Sequence, residues 1–374
     1  MPESVHKVLF LTGDLRFRGS SVLLLRLVAA IQRQGLSASV ICTERGNLDS
    51  ELCDGIKLQE ITGYLRPLWG HVVRRTVLHR LRADQPQVIH VFGRSMLREG
   101  LWLGRMLNCP VVVTVTNQSD AARGFSGSVM RGIAAIHCVS ESVRRALPAS
   151  LQSIPQRVIA PGVPLSTLEQ QTTLLAEEKT PVLGIAGPLE VIKGGSFFLR
   201  ACHRVIEEGH AIRIVIVGSG PEERNLRRLA TSLSLDSQVT FIDGRTALYS
   251  WMSAIDIFCL PSLQQGFGVL LLEAMALARP VIASSVGGVL DLLEHESTGL
   301  VVPPSNTREL ADALLTLLNS PETARGIAIA GQNHVEDKFT AERMASDIVA
   351  VYNEFSASDD SATEPNGQQV VTAS

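Results

Sequence analysis

The hydrophobic residues of this chain fall into short continuous runs rather than alternating with polar ones. Twelve such runs, rich in β-branched residues, recur between residues 7 and 303, six in each half. Most are separated by segments of helical length in which apolar side chains recur every three to four positions. Continuous runs are typical of parallel strands that helices cover on both faces. The pattern therefore predicts an α/β fold with two doubly wound parallel-sheet domains.

The boundary between the two domains is predicted near the middle of the chain. Residues 164–181 form its longest polar break there and are framed by prolines, which is typical of an interdomain linker. We expect an N-terminal domain over residues 1–165 and a C-terminal domain over 178–340. Residues 341–355 have the pattern of a last amphipathic helix, whereas 356–374 lack a core pattern and are expected to be disordered.

The first strand is followed by a loop and then by a long apolar helix. Ser20 or Ser21 is the expected N-cap of this helix, and Gly35 is its expected C-terminal stop. A glycine-opened helix that follows a parallel strand is suited to binding phosphate, but it is equally suited to making a tight turn. Both interpretations of Gly19 and Ser20 stay open at this point.

Composition restricts the classes of protein that the chain can belong to. Its 374 residues are 45% hydrophobic, which is enough for two domains with real cores. Six cysteines occur singly, without the paired spacing of metal sites or disulfide frameworks, so we expect reduced cysteines in a cytoplasmic protein. Because no run of about 18 apolar residues occurs, we expect neither a signal peptide nor a membrane-spanning helix.

The net charge of −3 hides a strong asymmetry. Residues 1–165 carry 20 Lys and Arg against 11 Asp and Glu, whereas the rest of the chain carries 14 against 26. A basic N-terminal half favours an anionic partner. Nucleic acid is not expected, since no nucleic-acid motif is present. Residues 66–82 form a basic amphipathic segment that either docks on an anionic membrane or packs its Val and Leu residues on the sheet.

Two polar residues of the second half point to chemistry. The C-terminal half has three lysines, and Lys193 alone precedes a glycine pair in a strand-end loop, where it can hold a phosphate. Glu273 lies five residues into an otherwise apolar segment that predicts a buried helix. A buried carboxylate needs a partner. This partner is either a pair of ligand hydroxyls or an arginine from another helix.

The order of motifs in the second half resembles that of the retaining glycosyltransferases of family 4. The motifs are "GPLEVIKGG", "IVIVGSGP", "PSLQQGFGVLLLEAMALARPVIASSVGG" and "STGLVVPP". The first half is similar more loosely. The resemblance implies the GT-B fold, in which two Rossmann-like domains face a central cleft. It also implies that the C-terminal domain binds a nucleotide sugar and the N-terminal domain an acceptor, with the last helix returning to the N-terminal domain.

The resemblance also assigns site residues. Glu273 is the position that binds the nucleotide ribose, Gln265 is the position that contacts the transferred sugar, and Lys193 binds the diphosphate. These three form the expected catalytic set. The expected donor-binding residues are Gly19, Ser20, Lys193, Gly218, Gly220, Gln265, Gly266, Phe267, Gly268, Val269 and Glu273. On the acceptor side we expect His90, Arg94 and Thr116.

Several positions depart from the family pattern. Gln265 replaces a glutamate, Pro188 replaces an arginine that usually accompanies the lysine, and Thr116 replaces a histidine. An amide at 265 keeps its hydrogen-bonding capacity but lacks the negative charge. Two functions stay open: an active enzyme, and a sugar-nucleotide-binding or interaction protein with a degenerate site.

The active interpretation implies sugar transfer from a nucleoside diphosphate sugar with retention of anomeric configuration. We expect no metal and no cofactor. The acceptor would be a saccharide or a lipid-linked hydroxyl, in bacterial polysaccharide, lipopolysaccharide or glycolipid synthesis. We expect a location in the cytoplasm, or peripheral on the inner face of the cell membrane.

Overall fold

The structure is a computed structural model that describes residues 5–46, 51–62, 70–123, 132–164, 179–243 and 248–356. Most of the predicted linker at 164–181, and all but the first residue of the predicted disordered tail at 356–374, lie outside the described residues. Two parallel sheets form the framework, one in each half of the chain.

The N-terminal sheet has seven strands in the order β3-β2-β1-β4-β5-β6-β7. They are β1 (Lys7–Asp14), β2 (Ser37–Glu44), β3 (Lys57–Glu60), β4 (Val88–Phe92), β5 (Val111–Val115), β6 (Ile133–Cys138) and β7 (Gln156–Val158). The helices of this half are α1 (Gly19–Arg33), α2 (Gly70–Ala83), α3 (Leu97–Leu107), α4 (Gln118–Arg123) and α5 (Glu141–Arg145). All neighbouring strands are parallel.

The C-terminal sheet has six parallel strands in the order β10-β9-β8-β11-β12-β13. They are β8 (Val182–Ala186), β9 (Arg213–Val217), β10 (Val239–Ile242), β11 (Ile257–Leu260), β12 (Val281–Ser284) and β13 (Leu300–Val302). The helices are α6 (Gly195–Glu207), α7 (Glu223–Ser232), α8 (Leu248–Met252), α9 (Val269–Ala276), α10 (Val289–Leu292), α11 (Thr307–Asn319), α12 (Pro321–Lys338) and α13 (Ala341–Ser356). In both sheets the order reverses beside the first strand, which is the doubly wound arrangement.

All twelve hydrophobic runs are strands, so the predicted fold class is confirmed. The sequence pattern missed β3, whose residues Lys57, Gln59 and Glu60 are exposed. This strand lies at the edge of the sheet and buries little of itself. A strand of this kind has no hydrophobic run by which it could be recognised.

Helix α1 begins two or three residues earlier than predicted. Arg18 is the N-cap, with an extended backbone at φ −163°, and its carbonyl accepts hydrogen bonds from the backbone N–H groups of Ser21 and Val22. The predicted caps Ser20 and Ser21 are therefore wrong, since both lie inside the first turn. The predicted stop is confirmed, because Gly35 takes a left-handed φ of 87° just after the helix.

Helix α13 returns from the C-terminal half to pack on α1. The Gln34 side chain donates hydrogen bonds to the Glu342 carbonyl and the Ser346 hydroxyl, at 3.1 and 2.9 Å. Arg33 forms an ion pair with Glu342 at 3.0 Å. The last helix thus ties the two halves of the chain together.

Helix α2 packs on the N-terminal half through Val77 and Leu78, which are buried. Arg75, Arg80 and Arg82 are exposed on its outer side. Much of the apolar stripe is therefore covered by protein, while the positive charge faces outward. Within the described ranges, no helix combines the length and the apolar character needed to cross a membrane.

Candidate active site

A cavity of about 670 Å³ lies between the two sheets and is lined by both halves of the chain. Its walls are built from residues at the carboxyl ends of strands: Asp14 ends β1, Thr116 follows β5, and Glu190 follows β8. Ligands of open parallel sheets bind at this end, beside the position where strand order reverses. We call this cavity the cleft.

The N-termini of two helices, one from each half, meet at the cleft. A Cβ atom built on Gly19, the first residue of α1, would lie 3.2 Å from the Cβ atom of Val269, the first residue of α9. Gly268 precedes α9 with a left-handed φ of 109°, which glycine adopts without strain. Helix N-termini carry unpaired N–H groups and partial positive charge. Two of them at one cleft favour an anionic ligand.

Lys193 adds a full positive charge to the same cleft. Its Nζ donates a hydrogen bond to Oε1 of Gln265 at 2.9 Å. Burial lowers the pKa of Lys193, and the nearby Glu190 carboxylate acts in the opposite direction. The structure thus brings together the two residues that the sequence assigned to the diphosphate and the transferred sugar.

Arg18 is a second cation of the cleft, and it was missed by the sequence analysis. It forms an ion pair with Asp14 at the end of β1. Burial lowers the pKa of Arg18, while the carboxylates of Asp120 and Glu190 raise it. The sequence signal for Arg18 was its position directly before Gly19. The N-cap residue of a helix that faces a ligand lies close to that ligand.

The two halves touch through their backbones beside the cleft. A Cβ atom on Gly266 would overlap the carbonyl oxygen of Thr116 in the N-terminal half. Ser140 donates a hydrogen bond from its hydroxyl to the Gly266 carbonyl at 2.8 Å. The backbone N–H of Glu141 donates to Oδ2 of Asp291 at 3.2 Å. The loop of 265–268 is therefore held from the opposite half.

Most of the predicted site residues line the cleft. They are Gly19, Ser20, Arg94, Thr116, Lys193, Gln265, Gly266, Phe267, Gly268 and Val269. Gly218 and Gly220 do not. A Cβ on Gly218 would overlap the carbonyl of Gly187, and one on Gly220 would approach the carbonyl of Leu189 closely. Close packing against the 187–189 loop accounts for both glycines, and their assignment to the donor stays a prediction.

His90 does not reach the cleft either. It is fully buried, and both its ring nitrogens are within hydrogen-bond distance of hydroxyls: Nδ1 is 2.5 Å from the Tyr352 hydroxyl and Nε2 is 2.6 Å from Thr114 Oγ1. Burial, followed by the neighbouring His137, lowers the pKa of His90 well below its usual value. Its assignment to the acceptor side is corrected, since no ring nitrogen is left to meet an acceptor.

A buried chain of hydrogen bonds continues from His90 across the sheet. Thr114 Oγ1 lies 2.9 Å from Nδ1 of His137, and Nε2 of His137 lies 2.8 Å from the Ile159 carbonyl. Burial lowers the pKa of His137 to about 4, so this ring is neutral near pH 7. This series of hydrogen bonds joins α13 to β4, β5 and β6, so its role is structural.

Removing one residue of this hydrogen-bond series should lower the stability of the protein without changing the cleft. We expect Tyr352→Phe to reduce the free energy of unfolding by about 1–3 kcal/mol, because His90 loses a buried partner. Denaturant unfolding of the variant and the native protein measures this difference. Nucleotide affinity should stay unchanged, and a loss of affinity would contradict the structural role.

Glu273 lies beneath the cleft, one helical turn beyond Val269 in α9, whose residues are all buried. Its side chain is fully buried, and Oε1 accepts a hydrogen bond from Nε of Arg26 in α1 at 3.3 Å. Its Oε2 atom is buried and has no partner. Glu273 does not line the cleft. Of the two explanations open at the sequence level, an arginine from another helix is present, and contact with ligand hydroxyls stays a prediction.

The architecture defines a protein of the GT-B class, in which two Rossmann-like domains enclose a cleft. Two family models match the chain: "Glycosyltransferase Family 4" over residues 17–167 and "Glycosyl transferases group 1" over residues 180–320. Together they span most of the chain. The chain belongs to this glycosyltransferase family.

Two named relatives are similar to this chain over part of their length. An alpha-D-kanosaminyltransferase of Streptomyces kanamyceticus is 30% identical over 176 residues, which are 46% of each protein. A D-inositol 3-phosphate glycosyltransferase of Pseudarthrobacter chlorophenolicus is 33% identical over 192 residues, covering 47% of this chain and 46% of that protein. The chain thus matches about half the length of these relatives.

Solved structures agree with the fold over nearly the whole chain. HepE of Anabaena in complex with UDP and glucose has a TM-score of 0.78 at 20% identity, covering 92% of this chain and 98% of HepE. Sucrose-phosphate synthase of Thermosynechococcus elongatus has a TM-score of 0.71 at 20% identity, covering 94% and 99%. At these identities the likeness shows the GT-B fold.

Proposed function

We propose that this protein transfers a sugar from a nucleoside diphosphate sugar to an acceptor hydroxyl with retention of anomeric configuration. The observation that carries the proposal is the meeting of the α1 and α9 N-termini beside Lys193 in one cleft. A diphosphate leaving group matches this concentration of positive potential. Membership of a glycosyltransferase family supports the same reaction.

The residues that line the cleft have separate tasks in the proposed mechanism. Lys193 and the two helix N-termini stabilise the negative charge that develops on the leaving diphosphate, which is the largest contribution expected from the protein. Gln265, held by Lys193, hydrogen-bonds the transferred sugar. Arg94 and Thr116 bind the acceptor from the N-terminal half. The departing diphosphate takes the proton of the acceptor hydroxyl, so the mechanism requires no metal.

A second candidate is a sugar-nucleotide-binding protein that has lost turnover. It is favoured by the cleft-lining residues that depart from the family pattern, namely Pro188, Gln265 and Thr116. Arg18 weighs against this second candidate. As a cation in the cleft, it can provide the positive charge of the arginine that Pro188 replaces.

A panel of UDP-, GDP- and ADP-sugars separates the two candidates. The proposed function predicts release of nucleoside diphosphate from at least one donor, with a product whose anomeric proton shows retention by NMR. We would begin with UDP-glucose, because HepE has been solved with UDP and glucose. Binding without turnover on every donor would establish the second candidate instead, and an inverted product would refute retention.

We further propose that the acceptor is lipid-linked and that α2 holds the protein on the inner face of an anionic membrane. Three exposed arginines, Arg75, Arg80 and Arg82, project from α2, whereas Arg74 is bonded to Glu99. Arg66, at the start of the predicted segment, lies outside the described residues. Each exposed cation near such a surface contributes about 1 kcal/mol.

Neutralising these three arginines should strongly weaken vesicle binding. We expect the triple Gln variant to lose about 100-fold in affinity for phosphatidylserine vesicles, measured by sedimentation at physiological salt. The matched control replaces Arg224, Arg228 and Arg308, three exposed arginines of the C-terminal half, and should bind as the native protein does. Equal binding of the native protein to neutral vesicles would refute the electrostatic proposal.

A further inference from the structure

We infer that Arg26, on the acceptor half, is a positioning residue for the donor site on the opposite half, acting through Glu273. The inference rests on the proposed function and on the expected contact between Glu273 and the ribose hydroxyls of the donor. It adds that the donor site is incomplete without a side chain from the N-terminal half.

The geometry follows from the two helices that meet at the cleft. Helices α1 and α9 pack together, and Gly19 touches Val269 where both begin. Glu273 lies four residues beyond Val269, about 6 Å along the axis. Arg26 lies seven residues beyond Gly19, and helical side chains lean back toward the helix N-terminus. The long arginine side chain therefore ends beside Glu273, beneath the cleft-lining Leu23.

The electrostatics explain why this pair persists inside the protein. The Glu273 side chain is 0% exposed and that of Arg26 is 13% exposed. A buried carboxylate without a cation is strongly unfavourable, and Arg26 provides the cation at this position. The guanidinium meets one oxygen, Oε1, and thereby fixes the plane of the carboxylate.

The second carboxylate oxygen of Glu273 indicates what the ion pair with Arg26 is for. Oε2 of Glu273 is buried and has no hydrogen-bond partner, and buried polar atoms of native proteins almost always have one. A carboxylate accepts only, so the missing partner is a donor such as a hydroxyl. Arg26 contacts Oε1 from α1 and leaves Oε2 for the ligand hydroxyl. Donor binding requires a small adjustment at the cleft floor to expose this oxygen.

The test measures nucleotide affinity in the full-length protein. The probe is whichever of UDP, GDP and ADP stabilises the native protein most in thermal unfolding, and its dissociation constant is then measured by calorimetry. The variants are Arg26→Met, Arg26→Lys, Glu273→Gln and the double variant Arg26→Met/Glu273→Gln. The control is Arg33→Met, which removes an arginine of the same helix that pairs with Glu342 on the surface.

Arg26→Met should weaken nucleotide binding about tenfold or more, because the carboxylate loses its orientation. Arg26→Lys should recover part of the loss, since it restores the charge without the fixed fork of arginine. The double variant should bind no more weakly than Glu273→Gln alone, as residues acting through one another are not additive. Arg33→Met should bind as the native protein does. A merely structural arginine would shift the unfolding temperature and leave affinity unchanged.

The failures of the two proposals are distinguishable. If Glu273→Gln weakens binding and Arg26→Met does not, or if their effects add, the inference about Arg26 is overturned and the proposed function stands. If neither variant changes affinity, the assignment of Glu273 to the donor falls as well. Should Arg26→Met fail to fold, the comparison of Arg26→Lys with the double variant takes its place. The double variant removes both charges of the pair, so neither charge is left unpaired.

Discussion

Replacing Lys193 with alanine should lower kcat/KM for the preferred donor by about 10²- to 10³-fold. Removing one preorganised electrostatic contact to developing negative charge has an effect of this size. The Lys193 ammonium sits in the cleft beside Gln265, where burial strengthens its interaction with an anion. Initial rates of nucleoside diphosphate release over a range of donor concentrations measure the change.

Lys338 provides the matched control for this variant. It is one of the three lysines of the C-terminal half, and it lies exposed at the end of α12, outside the cleft. We expect Lys338→Ala to keep the native rate within a factor of about two, since exposed substitutions of this kind are near neutral. A Lys193→Ala protein as active as the Lys338→Ala protein would exclude Lys193 from the diphosphate site.

Gly266→Ala should cost about 10²-fold or more in kcat/KM. The added methyl group would overlap the Thr116 carbonyl across the cleft, and backbone atoms on both sides cannot rotate away. The two halves would have to separate, which would displace Gln265 and Lys193 from the cleft residues of the N-terminal half. Misplacement of reacting groups by about 1 Å is sufficient for a loss of this size.

Gly326→Ala is the control for the effect of the methyl group itself. Gly326 lies in α12, and a Cβ atom there would find no heavy atom within 4 Å. In this helix alanine should raise the free energy of unfolding by about 0.5–1 kcal/mol and leave activity unchanged. If Gly266→Ala retains native activity, the contact between Gly266 and Thr116 does not set the geometry of the cleft.

The sheets could be predicted from sequence because their signal is local. A strand that helices cover on both faces must be apolar at every position, so each run of the sequence carries its own evidence. Strand β3 lacked this signal because it is an exposed edge strand. The N-cap of α1 was mispredicted because serine propensity suggested Ser20 or Ser21, whereas the backbone of Arg18 makes the turn that starts the helix.

The site residues could be predicted from the sequence only where consecutive residues of one loop line the cleft. Gln265 to Val269 reach the cleft together because they connect one strand to one helix. The partners of His90 and Glu273 were not predictable in this way. Tyr352 lies 262 positions from His90, and Arg26 lies 247 positions from Glu273. Only the packing of α13 and α1 brings such residues into contact, and no local spacing encodes it.

Gly218 and Gly220 show that a glycine in the sequence can have more than one cause. Their sequence has the form of a phosphate-binding turn, yet both glycines are required by the close approach of a neighbouring loop. A glycine in such a motif indicates only that a side chain cannot fit at that position. Either a ligand or another part of the protein can be the reason. At Gly19 and Gly266 the same requirement comes from the opposite half of the molecule.

The most direct test of a diphosphate site between α1 and α9 is thermal unfolding with UDP, GDP and ADP, on the native protein and on Lys193→Ala. A nucleotide at 100 times its dissociation constant should stabilise the native protein by about 2.7 kcal/mol. At that same concentration, Lys193→Ala should lose most of this stabilisation. An absence of stabilisation by all three nucleotides, or an equal effect on both proteins, would contradict the proposed site.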